Sequence, residues 1–403
     1  MKVFIVTKEP FPNGMAASNR IKCYARGIMR NGINCQIIIS KRTEKYGILP
    51  KNLEYSGIID NIPFLYIGKS TLRNKSLIIR NIYDFVDSIK TLHFLYIRAN
   101  KNDIIFNYLR EDNLNILIGL ISKIKGFKTY RELCEYPYGA SNNNYLVKIK
   151  RKIQLHLIFK IFDGFIAISE NLKNLAEQYK TAKAKVLKVP IMINYNDVAY
   201  DKSMVPPTNL PFIFHSGTLY EQKDGIIGAI EAFGIYKQKN NDSLIYILTG
   251  NLEQSPEKRE IELLITKYNI KKYIYFTGYI TQKVLNWYTN NATLMIINKL
   301  DNLQNRYCFA TKLGEYLLSG NPVITTNIGE ANMYLKDKVT ALIVSPGFPE
   351  LIEECIEYII THPKESKMIG ENGKKMALLE FSELKQGKNI KKFLENQHNH
   401  SFI

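Results

Sequence analysis

Cysteine is scarce and scattered. Cys23, Cys35, Cys134, Cys308 and Cys355 are odd in number, widely spaced and never form a C-x-x-C pair. That excludes a disulfide framework and points to reduced, mostly structural thiols in a reducing compartment. Histidines do not cluster and no D-x-D pair appears, so no resident metal ion is expected. Long apolar runs are missing too. Stretches such as Leu114 to Ile121 break off well short of the ~20 residues needed to span a bilayer. The opening Met1-Lys2-Val3-Phe4-Ile5-Val6-Thr7 reads as a buried strand, without the long apolar core and small-residue cleavage site of a secretory signal. These absences predict a cytoplasmic chain that crosses no membrane.

What is present is bulk and an uneven charge. A length of 403 residues exceeds what one hydrophobic core usually serves, so two domains are expected. The formal net charge is +18, yet residues 1–200 hold 32 Lys and Arg against 15 Asp and Glu, while residues 201–403 hold 23 against 22. A basic half joined to a neutral half suggests that the basic half faces an anionic surface, lipid or nucleic acid. No nucleic-acid module is recognisable, and the charge lies on the half opposite the strongest motif, so no nucleic-acid partner is expected.

Short apolar runs alternate with helical patterns through both halves. Val3–Val6, a helix near Ser18–Asn31 and Cys35–Ser40 read as β-α-β. Ile104–Tyr108, Leu114–Lys125, Phe127–Leu133, Leu146–Phe162 and Gly164–Ile168 continue the alternation. The pattern lapses around Pro190, Pro206, Pro207 and Pro211, then restarts at Phe212–His215 and runs to Pro322–Thr325. The expected organisation is an α/β chain of two doubly wound parallel sheets: a domain over 1–195, a linker over 196–211, a second domain over 212–385 and a C-terminal helix or tail over 386–403.

The strongest local signal is Phe309-Ala310-Thr311-Lys312-Leu313-Gly314-Glu315-Tyr316-Leu317-Leu318-Ser319-Gly320-Asn321-Pro322-Val323-Ile324. A loop ends at Thr311, read as an N-cap; a helix opens there, Gly320 stops it, and a buried strand follows. Such a helix start presents free N–H groups and the positive end of a dipole, which suits a diphosphate. Lys312 sits unfavourably in that first turn unless an anion is bound, and Glu315 can accept hydrogen bonds from ribose hydroxyls. A second candidate is Gly217-Thr218-Leu219-Tyr220-Glu221-Gln222-Lys223-Asp224-Gly225, directly after a strand. There a glycine lets backbone approach a phosphate and Lys223 supplies a point charge.

In order and spacing these segments resemble the donor site of glycosyltransferase family 4, in the GT-B superfamily. The resemblance implies two Rossmann-like domains facing a central cleft, the second binding a nucleotide sugar and the first on the acceptor side. Glu315 matches the family's second glutamate, which binds ribose; its first glutamate falls on Tyr307. Lys223 matches the diphosphate-binding lysine of the family's Gly-Arg-Leu-x3-Lys-Gly pattern, while Thr218 replaces the arginine, leaving Arg306 or Lys312 to supply the missing charge. Donor-binding candidates are therefore Gly217, Thr218, Lys223, Arg306, Phe309, Ala310, Thr311, Lys312 and Glu315, with Gly14 of the loop Pro10–Arg20 facing the donor phosphates in the resembling enzymes. The implied reaction retains anomeric configuration without metal or cofactor, the nucleotide sugar being a substrate and Lys223 a catalytic cation.

Glu135, in Arg131-Glu132-Leu133-Cys134-Glu135-Tyr136-Pro137-Tyr138-Gly139, is the other catalytic candidate: two carboxylates three apart beside an arginine can bind sugar hydroxyls or an acceptor. Four cations, Lys148, Lys150, Arg151 and Lys152, open a segment that is otherwise strongly apolar, which predicts either a contact with an anionic membrane or a core helix with a basic end. The expected function is sugar transfer from a nucleotide donor to a lipid-linked or glycan acceptor in bacterial surface polysaccharide synthesis, at the inner face of the cell membrane. The alternatives are a nucleotide-sugar epimerase of the same fold and a non-catalytic basic binding protein.

Overall fold

The computed structural model describes residues 1–110, 113–137, 145–200, 203 and 207–398. The chain divides into two compact units, Met1–Met192 with Glu383–Ile403, and Ile193–Ser382.

The first unit runs β1 (Lys2–Thr7), α1 (Ala16–Arg30), β2 (Asn34–Ile39), β3 (Ser56–Ile59), β4 (Ile62–Tyr66), α2 (Leu77–Arg98), β5 (Ile104–Tyr108), α3 (Asn113–Lys125), β6 (Lys128–Leu133), α4 (Tyr145–Ile158), β7 (Gly164–Ala167), α5 (Glu170–Tyr179) and β8 (Lys185–Lys188). The strands lie in the order β3-β4-β2-β1-β5-β6-β7-β8, every neighbouring pair parallel except β3 with β4. Strand periodicity sorts the core into two layers. Val3, Ile5, Ile104, Phe106, Tyr130 and Ile166 pack with Ile21, Tyr24 and Ile28 of α1. Phe4, Val6, Ile38 and Ile105 turn to the other face, against Leu95 of α2 and Leu114 and Ile118 of α3.

The second unit contains β9 (Phe212–His215), α6 (Glu221–Asp224), α7 (Ile226–Lys239), β10 (Ile245–Leu248), α8 (Lys258–Lys267), β11 (Ile274–Phe276), α9 (Gln282–Asn291), β12 (Leu294–Ile297), α10 (Leu303–Tyr307), α11 (Thr311–Ser319), β13 (Val323–Thr326), β14 (Leu342–Val344), α12 (Pro349–Thr361) and α13 (Pro363–Phe381). Its all-parallel sheet has the order β11-β10-β9-β12-β13-β14. The order reverses between β9 and β12, so the ends of these two strands open a crevice of the kind in which doubly wound sheets bind ligands.

Both ends of the second unit differ from the sequence-based boundaries. The unit starts at Ile193, and the segment read as the start of a linker forms a helical turn over Tyr195–Val198 that packs within it: Asn286 Nδ2 donates to the carbonyls of Asp197 and Ala199 at 2.9 and 2.8 Å. The final helix, α14 (Glu383–His398), belongs to the first unit, where Ile390 and Leu394 join the α1 core. Glu383 is buried there, 2.9 Å from Arg26 and 2.6 Å from Arg30. An ion pair formed across the whole chain length is invisible to local pattern.

Candidate functional site

The second unit's crevice is built from the loops that leave β9 and β12 and from the start of α11. His215, the last residue of β9, is fully buried; its Nδ1 donates to the carbonyl of Ile296 at 3.3 Å, and its Nε2 has no hydrogen-bond partner among the described residues. Burial, reinforced by the charge of Lys312, pushes its pKa down to about 3, so the ring is neutral. Beyond it the backbone N–H of Ser216 donates to Tyr316 Oη at 2.6 Å and that of Gly217 to Thr249 Oγ1 at 2.8 Å. A Cβ on Gly217 would lie 3.1 Å from Lys312 Nζ and 3.3 Å from His215 Nε2, so this glycine lets backbone, cation and imidazole converge.

Asp224 ties the cluster together. Its Oδ1 accepts from Lys312 Nζ at 2.7 Å and lies 3.9 Å from Lys299 Nζ, while Oδ2 accepts from Thr218 Oγ1 at 3.1 Å. Burial disfavours the carboxylate, but Lys312 and the other neighbouring cation outweigh it and hold the group ionised far below the usual range. Lys299 follows β12 and donates to the carbonyl of Lys223. Burial first, then repulsion from Lys312, push its pKa down to about 8. Two ammonium groups thus share one carboxylate. Gly225 closes the loop at φ 58°, a left-handed conformation, and Asn298 Nδ2 donates to its carbonyl at 2.6 Å. A side chain there would meet the Asn298 carbonyl oxygen at 2.1 Å, which makes glycine obligatory.

The N-cap of α11 is Ala310, not Thr311, which is the first helical residue; no side chain caps the helix and no acid lies in its first turn. Its leading N–H groups and dipole are therefore presented without a competing carboxylate. A small pocket beside this helix start is lined by Lys299, Cys308, Phe309, Ala310, Leu313 and Glu330, among others. Phe309 is buried, stacked on Tyr334 with ring centroids 5.7 Å apart. Glu315 is half-buried one turn into α11.

Of the residues singled out in sequence, Gly217, Thr218, Ala310, Thr311 and Lys312 come together with the Lys223 backbone around β9 and α11. Lys223 itself is exposed. The Arg306 guanidinium bonds Asp301 at 2.5 and 2.8 Å on an exposed surface; of the two groups weighed as substitutes for the arginine missing at Thr218, Lys312 reaches the β9 loop, donating to the Ser216 carbonyl at 3.0 Å. His215, Asp224, Lys299 and Glu330 carry no motif of their own, and only Asp224 falls within a segment that the sequence marks as a candidate.

In the first unit, Glu135 is half-buried beyond β6, 3.6 Å from Arg110, which lies 3.9 Å from Glu9. All three follow the carboxyl ends of strands β1, β5 and β6. Glu132 does not share that place: it is buried on β6, 2.8 Å from Arg20, so the two carboxylates do not act as a pair. Tyr138 and Gly139 of the same segment lie outside the described residues. At Gly14 a Cβ would sit 1.9 Å from Ser18 Oγ, which donates to the carbonyl of Pro10 at 2.5 Å; this glycine packs the β1–α1 loop. On α4, Lys148 and Lys152 are exposed, and the side chains of Lys150 and Arg151 lie outside the described residues.

Residues 199–376 match the family described as glycosyl transferases group 1. No curated protein sequence matches the chain. Among solved structures, sucrose-phosphate synthase from Thermosynechococcus elongatus aligns with a TM-score of 0.71 at 14% identity, covering 99% of this chain and 100% of that one. HepE of Anabaena, crystallised with UDP, aligns with a TM-score of 0.68 at 14% identity, covering 98% and 100%. A glycosyltransferase from Rickettsia africae reaches 0.69 at 16% identity, covering 98% of each chain. At these identities the structures establish a shared fold, GT-B with two Rossmann-like domains.

Proposed function

We propose that this chain, a glycosyltransferase of the group 1, GT-B kind, moves a sugar from a nucleotide donor to a lipid-linked or glycan acceptor presented at a membrane in bacterial surface polysaccharide synthesis, with retention of anomeric configuration. The observation that carries the donor assignment is the cluster at the β9–β12 crevice. Two ammonium groups, an uncapped helix start and one shared carboxylate leave an excess of positive charge where a nucleoside diphosphate would sit. UDP is the first donor base to test, because HepE carries UDP and UDP-glucose in its crystals.

In this reading Glu315 accepts from the ribose hydroxyls, and Lys312, Lys299 and Lys223 neutralise the diphosphate. As the glycosidic bond to the donor phosphate breaks, negative charge grows on the leaving oxygen, and cations already in place stabilise it without reorganising. Those side chains do the work a divalent cation does in other transferases, and neither metal nor cofactor enters the scheme. The first unit's strand ends, with Glu9, Arg110 and Glu135, are assigned to the acceptor. No helix among the described residues is long and apolar enough to cross a membrane, and a peripheral place on the cytoplasmic face accords with the basic charge of the first unit. Incubation with labelled nucleotide sugars and extracted lipid tests the whole: label entering lipid or glycan with release of nucleoside diphosphate supports it. Isomerised donor without transfer, or no turnover with any donor, sinks it.

A further inference from the structure

We infer that α2, α3 and α4 of the first unit form one surface that lies against an anionic lipid bilayer. The inference deepens the membrane part of the proposal above and rests on it, but not on the sugar transfer. Its starting point is a helix that is amphipathic the wrong way round. In α2 the residues turned inward include Asp87 and Thr91, both buried, whereas Ile78, Ile82, Phe85, Ile89 and Tyr96 are 74, 54, 67, 50 and 48% exposed. Their spacing of four, three, four and seven residues puts them on a single stripe, about 27 Å long at the rise of an α-helix.

The neighbouring helices continue it. Leu95 of α2 and Leu114 and Ile118 of α3 pack on the same core layer, with Phe4, Val6, Ile105 and Phe127. Just beyond α4, Phe159 stacks on Phe165 of β7, whose neighbour Ile166 turns to the opposite layer, so α4 covers the same face of the sheet as α2 and α3. Outward from that face point Leu117, Leu120 and Ile124 of α3 and Tyr145, Ile149, Ile153 and Leu157 of α4. Exposed apolar side chains gathered on α2 and α3, which pack together, and on α4 of the same sheet face are unlike the singly scattered ones normal for a soluble protein.

Charge decides the occupant. The three helices carry Arg80, Lys90, Arg98, Lys123, Lys125, Lys148, Lys150, Arg151 and Lys152, and only two acids, Asp84 and Asp87. Both acids are held by the strand side, Asp84 2.8 Å from Lys41 and Asp87 3.4 Å from Arg42. An outward face that is apolar and carries the exposed Lys90, Lys148 and Lys152 and the half-buried Lys125, with Asp84 and Asp87 tied to Lys41 and Arg42, complements acyl chains beneath anionic headgroups. Of the four cations on α4 singled out in the sequence, Lys148 and Lys152 are exposed and adjoin this face.

Flotation of the full chain with vesicles tests it. The wild type is expected to float with phosphatidylglycerol–phosphatidylcholine vesicles and not with phosphatidylcholine alone. The variant Ile82→Glu/Phe85→Glu/Ile89→Glu should lose about tenfold or more in vesicle affinity, with calorimetric UDP binding unchanged because the three side chains are exposed. The milder Phe85→Ser/Leu120→Ser should show a smaller loss in the same direction. Vesicle binding that survives the triple substitution overturns the inference. So does a wild-type chain that ignores vesicles, including one that instead forms a dimer dissolved by the same substitutions, which would assign the face to a second copy. A chain that floats but transfers no sugar leaves the surface standing and removes only the enzymatic reading.

Discussion

Each unit buries a carboxylate against a cation beneath its sheet's carboxyl end, and the two clusters differ in whether the protein itself completes them. In the first unit Glu132 accepts from Arg20 at 2.8 Å, and the same guanidinium donates to Tyr24 and to the carbonyls of Pro190 and Val189 at 2.9 and 3.0 Å. Burial raises the Glu132 pKa despite Arg20, so the pair is one-to-one in charge but does not fully repay the desolvation of its carboxylate. In the second unit Asp224 faces two ammonium groups beside a neutral imidazole with an orphan nitrogen, and its carboxyl is held far below the ordinary range. The first cluster balances. Around Asp224 the second has two cations to one carboxylate, an arrangement tolerated where a ligand supplies the counter-ion. The same contrast runs through the units as wholes: 36 Lys and Arg against 16 Asp and Glu in the first, 19 against 21 in the second. The second, with no excess overall, still sets Lys312 and Lys299 together at one crevice.

The contrast breaks if both clusters respond alike to losing a cation. Arg20→Ala strands Glu132 in the interior and should cost the first unit about 3–5 kcal/mol, read from urea unfolding, while the folded fraction keeps its UDP affinity. A loss under about 1 kcal/mol would deny the pair a structural role. Lys312→Ala should do the reverse. Lys299 remains near Asp224, so unfolding changes by about 1 kcal/mol, but kcat falls about 100-fold or more, as when a preorganised donor to a developing charge is removed. Normal turnover in that variant would return Lys312 to a structural ion pair.

How much of this is legible in sequence depends on whether the signal is local. The α11 segment is, because helix start, lysine, glutamate, the left-handed Gly320 (φ 75°) and a buried strand follow within sixteen residues. Even there the cap slips by one, since the extended residue at the helix mouth is Ala310 and no hydroxyl bonds back. The Asp224–Lys312–Lys299 cluster is not legible: its members are up to 88 residues apart and meet only because β9 pairs with β12, a strand order that no periodicity encodes. Residues 41–103 escape for another reason. Periodicity locates an apolar stripe but presumes that it faces the core, and in α2 the stripe faces out.

Within the second unit, Glu315→Gln sharpens the comparison by testing the carboxylate that the proposal assigns to the ribose. The amide keeps the shape and loses the charge that grips two ribose hydroxyls, so UDP affinity should fall by about 1–3 kcal/mol. Equal affinity in calorimetry would detach ribose recognition from this helix.

The smallest effect is also the most specific, because it separates the binding role of the second cluster from its contribution to stability by pH alone. Lys299 has its pKa pushed down to about 8 in the free protein, by burial first and then by Lys312, against an ordinary value near 10.4 in the unfolded chain. Between about pH 8 and 10 the unfolded state therefore holds more protons than the native one, and this residue's contribution to stability rises with pH. Donor affinity must move the other way. A diphosphate keeps its charge above pH 7, while the ammonium that faces it is lost as pH passes 8, so UDP affinity should fall about tenfold, roughly 1.4 kcal/mol, between pH 7 and 9. Lys299→Arg, charged throughout that range, should flatten the affinity profile. If wild-type affinity stays level across pH 7–9, Lys299 does not meet the phosphate, and the excess charge of the second cluster rests on Lys312 alone.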